Sequence, residues 1–238
     1  YSNIFTDMRG HLTMFGAGNF VDEDGNAVIP EHWAVGAQWY HDAMWKDYFY
    51  PNGPYVTSDI LTWSPFQSGN LAMGHTHLWY QTCCMLELQD EWAVAAMPAA
   101  PDGTVTAKLH GDTFAITKAS KVPEAAFEVL TYLFSPEVSQ RLVNIYGGIP
   151  ARLSLQDDAL DILFAQTYPD RDIDTTVISA SQSYPDNPNH EEGMPSNREA
   201  QALYNAFWQR LENTADFDVA GELAILQAEL QLLFDSAR

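Results

Sequence analysis

Residues 65–79 read PFQSGNLAMGHTHLW, and the rest of the chain is organised around this stretch. Ser68-Gly69-Asn70 is typical of a turn, because glycine adopts positive φ freely and asparagine tolerates it. The apolar run that follows is expected to enter the core. His75, His77 and Trp79 recur with period 2, so on a strand their side chains share one face. The sequence therefore predicts a surface of two imidazoles and one indole that can hold a ligand.

The composition is that of a globular protein with a strongly acidic surface. Hydrophobic residues make up 46% and aromatic residues 13% of the 238 positions, enough for one large core or two lobes. No apolar run reaches the ~18 residues of a membrane-spanning helix. The 11 basic and 32 acidic residues give a net charge of -21, which repels nucleic acid and anionic membrane surfaces. We therefore expect no nucleic-acid partner.

The two cysteines are adjacent, at Cys83 and Cys84. A neighbouring pair rarely forms a structural disulfide, because the ring that it closes is strained. Cysteine is also a small residue that is often buried as a hydrophobe, and we expect that role here. Cysteine usage alone leaves the redox compartment open.

Apolar residues at helical spacing predict helices over residues 31–47, 123–134, 136–145, 155–166, 197–211 and 218–234. Gly147-Gly148 is expected to stop the third of these helices, and Asp218 to cap the last. Residues 92–97 and 111–116 are predicted to be short strands. Residues 167–196 are rich in Asp, Asn, Pro and Ser and predict a long irregular connection, which in a compact domain is usually functional.

Six short motifs follow one another in an order that resembles a known family. They are Phe66–Met73 with Trp79, Met97–Gly103, Gly111–Ile116, Ser120–Ala126, Leu133–Val138 and Gly147–Arg152. The order is similar to that of the family 1 extracellular solute-binding proteins of ABC importers, a group that includes sugar and maltodextrin binders. Each motif alone is weak, and their shared order carries the resemblance.

The resemblance implies an α/β, periplasmic-binding-protein-like fold of type II, with two lobes joined by hinge strands and a ligand in the cleft between them. Residues 1–112 and 153–238 would form the second, C-terminal lobe, and residues 113–152 would cross the hinge and add two helices to the first lobe. The chain would then lack most of the first lobe and the secretion signal or lipoprotein anchor. We expect a membrane-associated protein of the periplasm or cell exterior, whose truncated form self-associates through the helices of residues 123–145.

The resemblance also implies that Trp79 is a sugar-stacking platform, since family members with a tryptophan there use it in this way. The chemistry suits that role, because a flat aromatic ring buries the C–H face of a sugar at low entropic cost. The competing interpretation is a tryptophan of the hydrophobic core. Tyr204 and Trp208 lie where family members often place an aromatic residue of the cleft, so both are candidate ligand contacts.

Polar candidates for the same site lie at the predicted hinge. Gly111 and Asp112 are both candidate ligand contacts there. The Asp112 carboxylate can accept hydrogen bonds from two sugar hydroxyls, or it serves the hinge as a cap. Arg152 lies where the chain would return across the cleft, and its guanidinium can bind hydroxyls or a carboxylate. The competing role of Arg152 is a surface salt bridge.

His75 and His77 also suggest a metal, because a His-x-His pair on a strand can share one zinc ion. A third ligand is required, and only distant residues such as His110 or Asp112 are available. We therefore expect neither a metal nor another cofactor, and we assign the two histidines to hydrogen bonding in the pocket.

The predicted function is that of the substrate-binding component of an ABC importer, which binds a carbohydrate, presents it to a membrane-embedded permease and catalyses no reaction. One alternative is a binding protein for another solute, such as a polyamine, which the net charge would suit. A second alternative is a zinc hydrolase built on His75 and His77. Against the hydrolase, no Ser, Cys or Glu stands in a recognisable nucleophile or base motif.

Overall fold

The structure is a computed structural model that describes residues 2–5, 15, 18–61, 64–99, 103, 113–181 and 193–237. The described residues fall into two compact units. One unit comprises the described parts of Tyr1–Thr76, Met97–Lys108 and Ser183–Arg238, and the other those of His77–Ala96 and Leu109–Gln182. The predicted division into lobes at residues 112 and 153 stays a prediction.

Helices dominate the described residues. In chain order the elements are β1 (Ser2–Phe5), α1 (Glu31–Trp45), α2 (Gly53–Val56), β2 (Met73–Thr76), α3 (Tyr80–Cys83), α4 (Pro123–Leu133), α5 (Pro136–Tyr146), α6 (Ala159–Thr167), α7 (Thr176–Ser181), α8 (Asn197–Asn213) and α9 (Val219–Ser236). Single 3-10 turns lie at Phe66–Ser68 and Leu153–Leu155. The six predicted helices are confirmed, with bounds that shift by a few residues. Within the predicted irregular connection, α7 is an additional helix.

The core of the first unit lies between the long helices α1, α8 and α9. Helix α1 buries Trp33, Ala37, Tyr40 and Met44, whose spacing places them along one stripe of the helix. Phe20 meets the ring of Trp33 edge-on, with 4.6 Å between ring centroids. Aromatic edge-to-face contacts of this kind stabilise a core beyond the area that they bury.

Helix α9 is fixed at its start and along one side. The Asp218 side chain accepts a hydrogen bond from Gly221 N at 3.1 Å, which confirms the predicted N-cap. Farther along α9, Gln231 Oε1 accepts from Ala27 N at 2.8 Å and Gln227 Oε1 from Ile29 N at 3.1 Å. The helix therefore holds the turn that precedes α1.

Strand β2 differs from its prediction. It pairs in parallel with β1, with Ser2 opposite Met73 and Phe5 opposite Thr76. The strand ends at Thr76, so the period-2 argument does not apply beyond it. Of the apolar run before it, Leu71 is buried but Met73 is 64% exposed. The described sheet consists of this one strand pair, and an isolated pair is only marginally stable in water.

The two other predicted strands are wrong where the structure describes them. Residues 92–97 and 113–116 form neither strand nor helix, and residues 111 and 112 lie outside the described part of the chain. A strand needs a partner far away in sequence, and local composition carries no information about that partner.

The second unit contains α4, α5 and α6. Helices α4 and α5 each begin with a proline, whose fixed φ suits the first helical turn. Gly147 ends α5 with φ 65°, and its N–H donates to Val143 O at 2.8 Å. Helix α5 buries Val143 against Ala159 and Leu163 of α6. In contrast, α4 buries none of its residues.

Candidate ligand-binding site

The candidate site is the turn that follows β2, which we call the Trp79 turn (residues 77–84). Trp79 stands directly before the short helix α3, and its carbonyl oxygen accepts two hydrogen bonds from Thr82. The Thr82 hydroxyl donates at 2.8 Å and the Thr82 N–H at 3.1 Å. Tyr80 N donates in turn to His77 O at 3.1 Å. The backbone around Trp79 is therefore held by neighbours in sequence.

Trp79 presents a partly exposed ring beside an imidazole. Its side chain is 41% exposed, and its ring centroid lies 5.5 Å from that of His77, with the planes tilted by 42°. Tyr80 lies on the other side of it in sequence and is buried. An exposed indole next to a half-buried imidazole can stack on an apolar ring face and hydrogen-bond to a hydroxyl group.

The structure brings His77 and Trp79 together, but not by the predicted route. The strand ends before both residues, so a turn rather than the face of a strand aligns their rings. His75 does lie on β2, opposite Ile4, and is partly buried. It belongs to the first compact unit, whereas His77 and Trp79 belong to the second. Its role as a ligand contact stays a prediction.

The prediction that the cysteines are unpaired is wrong, because Cys83 and Cys84 form a disulfide bond. Helix α3 ends at Cys83, and Cys84 leaves helical geometry with φ -124° and ψ 4°. This change of backbone direction lets two neighbouring side chains meet, which a continuous helix would not allow. Cys83 is exposed and Cys84 is buried. The adjacency of the cysteines was the one sign of this bond in the sequence.

Two residues outside the turn, Tyr168 and Arg171, hold it and the segment after it in place, and a third, Gly147, leaves room for Thr82. Sequence analysis found none of them in this role. Tyr168 donates its hydroxyl to Gln81 O, and burial raises the pKa of Tyr168 to about 12, so the donor stays protonated. Arg171 donates to Asp90 O at 3.0 Å and lies 5.6 Å over the ring of Trp92. A side chain added at Gly147 would collide with Thr82.

Arg152 has a structural contact of a kind that the sequence did not indicate. Its guanidinium donates to Phe134 O at 2.7 Å, and Phe134 is the residue that ends α4. Carbonyl groups at the end of a helix lack partners within the helix, and a cation there also complements the helix dipole. The side chain is exposed, and a contact with ligand stays a prediction.

Tyr204 and Trp208 lie one turn apart on α8 and are both buried in the core of the first unit. The Tyr204 hydroxyl donates to Met194 Sδ at 3.2 Å, and the Trp208 indole N–H donates to Glu212 Oε1 at 2.6 Å. Burial raises the pKa of Glu212, and the bond from Trp208 partly opposes this shift. These are the surroundings of core residues, so a ligand contact by either aromatic side chain stays a prediction.

Gly111 and Asp112 lie outside the described residues, as does His110. Among the residues that the structure does describe, no three His, Cys, Asp or Glu side chains converge as a metal site would require. No helix in the described ranges is both long and apolar enough to cross a membrane.

Comparison with known families defines the class of protein. Residues 7–169 match the model of a family described as bacterial extracellular solute-binding protein, which is a family of binding proteins rather than enzymes. Because the match spans more than half of the chain, the chain belongs to this family, and the predicted family is confirmed. A comparison with curated protein sequences gave no significant match.

Solved structures confirm the periplasmic-binding-protein-like fold. The maltose-bound MalE3 of T. maritima is similar with a TM-score of 0.71 and 18% sequence identity over 98% of this chain. The ABC substrate-binding protein Lmo0181 from Listeria monocytogenes, in complex with cycloalternan, has a TM-score of 0.73 and 14% identity over 97% of this chain. This chain spans 60% of the first structure and 57% of the second.

Proposed function

We propose that this chain is part of the substrate-binding component of an ABC importer and that its ligand is a carbohydrate. The observation that carries the proposal is the exposed ring of Trp79 beside His77, held by hydrogen bonds to its own backbone. Membership of the solute-binding family supports the binding role. The protein then performs no chemistry, and its action is to capture a solute and deliver it.

The chemistry of the Trp79 turn favours a sugar over a charged solute. A pyranose ring has a face of C–H bonds that an indole covers, while its hydroxyl groups need polar partners at the edge. His77 supplies such a partner next to the indole. An indole face also attracts cations, but a polyamine carries several charges and would gain most of its affinity from carboxylates beside the ring. Two structures with the same fold hold maltose and cycloalternan, which supports an oligosaccharide as the ligand class.

The proposed location is extracytoplasmic, at the periplasmic or outer side of the membrane that carries the permease. The family is one of extracellular proteins. The Cys83–Cys84 disulfide supports the same location, because disulfides persist in oxidising compartments and are rare in the cytosol. We further propose that residues 113–152 contribute to the first lobe, as the resemblance implies.

A thermal-shift screen tests the ligand class. The complete gene product, with any residues that flank these 238, is melted with maltose, maltodextrins, cyclic oligosaccharides and polyamines. A ligand that binds the folded state stabilises it and so raises the melting temperature. At a ligand concentration 100 times the Kd, the free energy of unfolding rises by about 2.7 kcal/mol. We expect an oligosaccharide to give the largest rise. A rise with polyamines and none with any sugar would contradict the proposal.

The zinc hydrolase alternative is tested separately. Its candidate third ligands, His110 and Asp112, lie outside the described residues. Elemental analysis of the purified protein is expected to find no stoichiometric zinc, and a chelator is expected to leave the melting curve unchanged. About one zinc per chain would contradict this expectation, because a bound structural metal contributes directly to folding.

A further inference from the structure

The Cys83–Cys84 disulfide contributes little to the stability of the whole fold. A disulfide stabilises a protein mainly by restricting the unfolded chain, and this effect grows with the length of the loop that it closes. Here no residue lies between the two cysteines, so the unfolded chain is barely restricted. The effect of the bond is therefore local, on the backbone around positions 83 and 84.

The backbone that the bond affects is the one that holds Trp79. Cys84 N donates to Tyr80 O at 2.9 Å. Tyr80 directly follows Trp79, whose own carbonyl oxygen accepts from Thr82. Cys83 Sγ lies 3.6 Å from the same Tyr80 oxygen. A disulfide sulfur has no proton to donate, whereas a thiol does. After reduction, the Cys83 thiol would compete with Cys84 N for the Tyr80 carbonyl, and the backbone at position 84 would lose the constraint of the bond.

The two cysteines of the bond differ in exposure. Cys83 is exposed and Cys84 is buried. Exposed disulfides are the labile class, while buried structural ones resist reduction. The chain has no other cysteine, so within these 238 residues no third sulfur can take part in an exchange.

We propose that Cys83–Cys84 is a thiol–disulfide exchange site whose redox state sets the order of the Trp79 turn and, through it, ligand affinity. The reaction partner is a dithiol reductant. In the oxidised state the turn is ordered and Trp79 is preorganised for stacking, and in the reduced state the turn is looser. The effect on affinity rests on the proposed function, whereas the effect on the order of the turn does not.

The exchange is balanced in atoms and electrons. A thiolate of the dithiol attacks Cys83 Sγ, the bond between the two sulfurs breaks, and Cys84 leaves as a thiolate with the electron pair. The second thiolate of the reductant then attacks the reductant's own sulfur in the mixed disulfide and releases Cys83 as a thiolate. Two electrons have passed to the cysteine pair, the dithiol has become a disulfide, and its two protons reach the cysteines through solvent.

Thermodynamic linkage gives the proposal a second consequence. If the oxidised state binds ligand more tightly by some factor, bound ligand must favour the oxidised state by the same factor. Coupling between two sites typically amounts to about fivefold or more. Ligand should therefore shift the reduction equilibrium of Cys83–Cys84 toward the disulfide by the factor that separates the two affinities.

The first test measures the turn without any ligand. The complete gene product is compared in air-oxidised and dithiothreitol-reduced form, and thiols at positions 83 and 84 are located by maleimide labelling and peptide mass. Hydrogen exchange is then measured for peptides that cover residues 77–92. We expect a disulfide in the oxidised form and amide exchange in 79–84 that is several-fold faster after reduction. Free thiols in the oxidised protein, or equal exchange in both forms, would overturn the proposal.

The second test measures affinity with the sugar that the thermal-shift screen identifies. Reduction is expected to weaken binding by about fivefold or more, and the variant with Cys83→Ser and Cys84→Ser should bind weakly whether or not dithiothreitol is present. Equal affinity of both forms of the natural protein would overturn the effect on affinity. Absence of sugar binding in both forms would contradict the proposed function instead, and the hydrogen-exchange result would still decide whether the turn responds to redox state.

Discussion

Gly147 connects the end of α5 to the Trp79 turn through a contact that only glycine allows. Its φ of 65° is unfavourable for other residues, and a Cβ atom there would collide with Thr82. We expect Gly147→Ala to lower the free energy of unfolding by about 1–3 kcal/mol. Gly148 is the matched control, because an added Cβ would meet no described atom within 4 Å. Denaturant midpoints that fall equally for both variants would contradict this explanation.

Glu212 carries a pH dependence whose sign follows from its raised pKa. Burial disfavours the charged form in the folded state, so the stability that Glu212 contributes is complete below its ordinary pKa of 4.5 and is lost as the pH rises through the raised value. A glutamine keeps an oxygen that accepts from Trp208 and has no charge to bury. We expect Glu212→Gln to gain stability relative to the natural protein between pH 4 and pH 8. The measurement is urea unfolding of both proteins across this pH range. If the stability difference between them is the same at every pH, the explanation is contradicted.

At the scale of single elements, helix α9 depends on one capping side chain. Asp218 accepts from Gly221 N, which would otherwise lack a partner at the helix start. We expect Asp218→Ala to cost about 1 kcal/mol of stability, since Asp, Asn and Ser are the best N-caps. Asp218→Asn is the control and should cost much less. If both variants lose the same stability in denaturant unfolding, the cap is not the cause.

Helix α4 presents apolar side chains to solvent along its length. Phe127 and Tyr132 are 62% and 61% exposed, and no residue of the helix is buried. Exposed apolar patches of several hundred Å² invite association. We expect the 238-residue chain on its own to self-associate, and Phe127→Glu to shift it toward the monomer, whereas Glu124→Gln should not. A strict monomer in light scattering at high concentration would contradict this prediction.

The helices could be predicted from the sequence because their signals are local. Pro136, Gly147 and Asp218 mark helix ends within one or two residues of where the structure has them. The strands could not be predicted in the same way, since pairing of β1 with β2 joins residues about 70 positions apart. For the Trp79 turn the prediction was right in part. His77 and Trp79 were correctly expected to lie side by side, but their rings meet because of a turn and not because they share the face of a strand.

At the scale of the whole molecule, the net charge of -21 separates the two ligand classes. A neutral oligosaccharide gains nothing from the long-range field of the protein, whereas a polyamine is attracted by it. Salt screens such fields over about 8 Å at physiological ionic strength. We expect sugar affinity measured at low and high salt to agree. A strong decrease of affinity with salt would indicate a cationic ligand instead.

Calorimetric titration of the complete gene product with the identified oligosaccharide tests the central claim, that Trp79 is the surface on which a sugar stacks. We predict that Trp79→Ala lowers affinity about tenfold to a hundredfold, corresponding to roughly 1–3 kcal/mol by analogy with bases stacked on aromatic rings. Its denaturant midpoint should stay near that of the natural protein. Trp39→Ala is the control, because Trp39 is equally exposed, at 40%, but lies on α1. Unchanged affinity in Trp79→Ala, or a loss of about 3–5 kcal/mol in stability as for a core tryptophan, would contradict the claim.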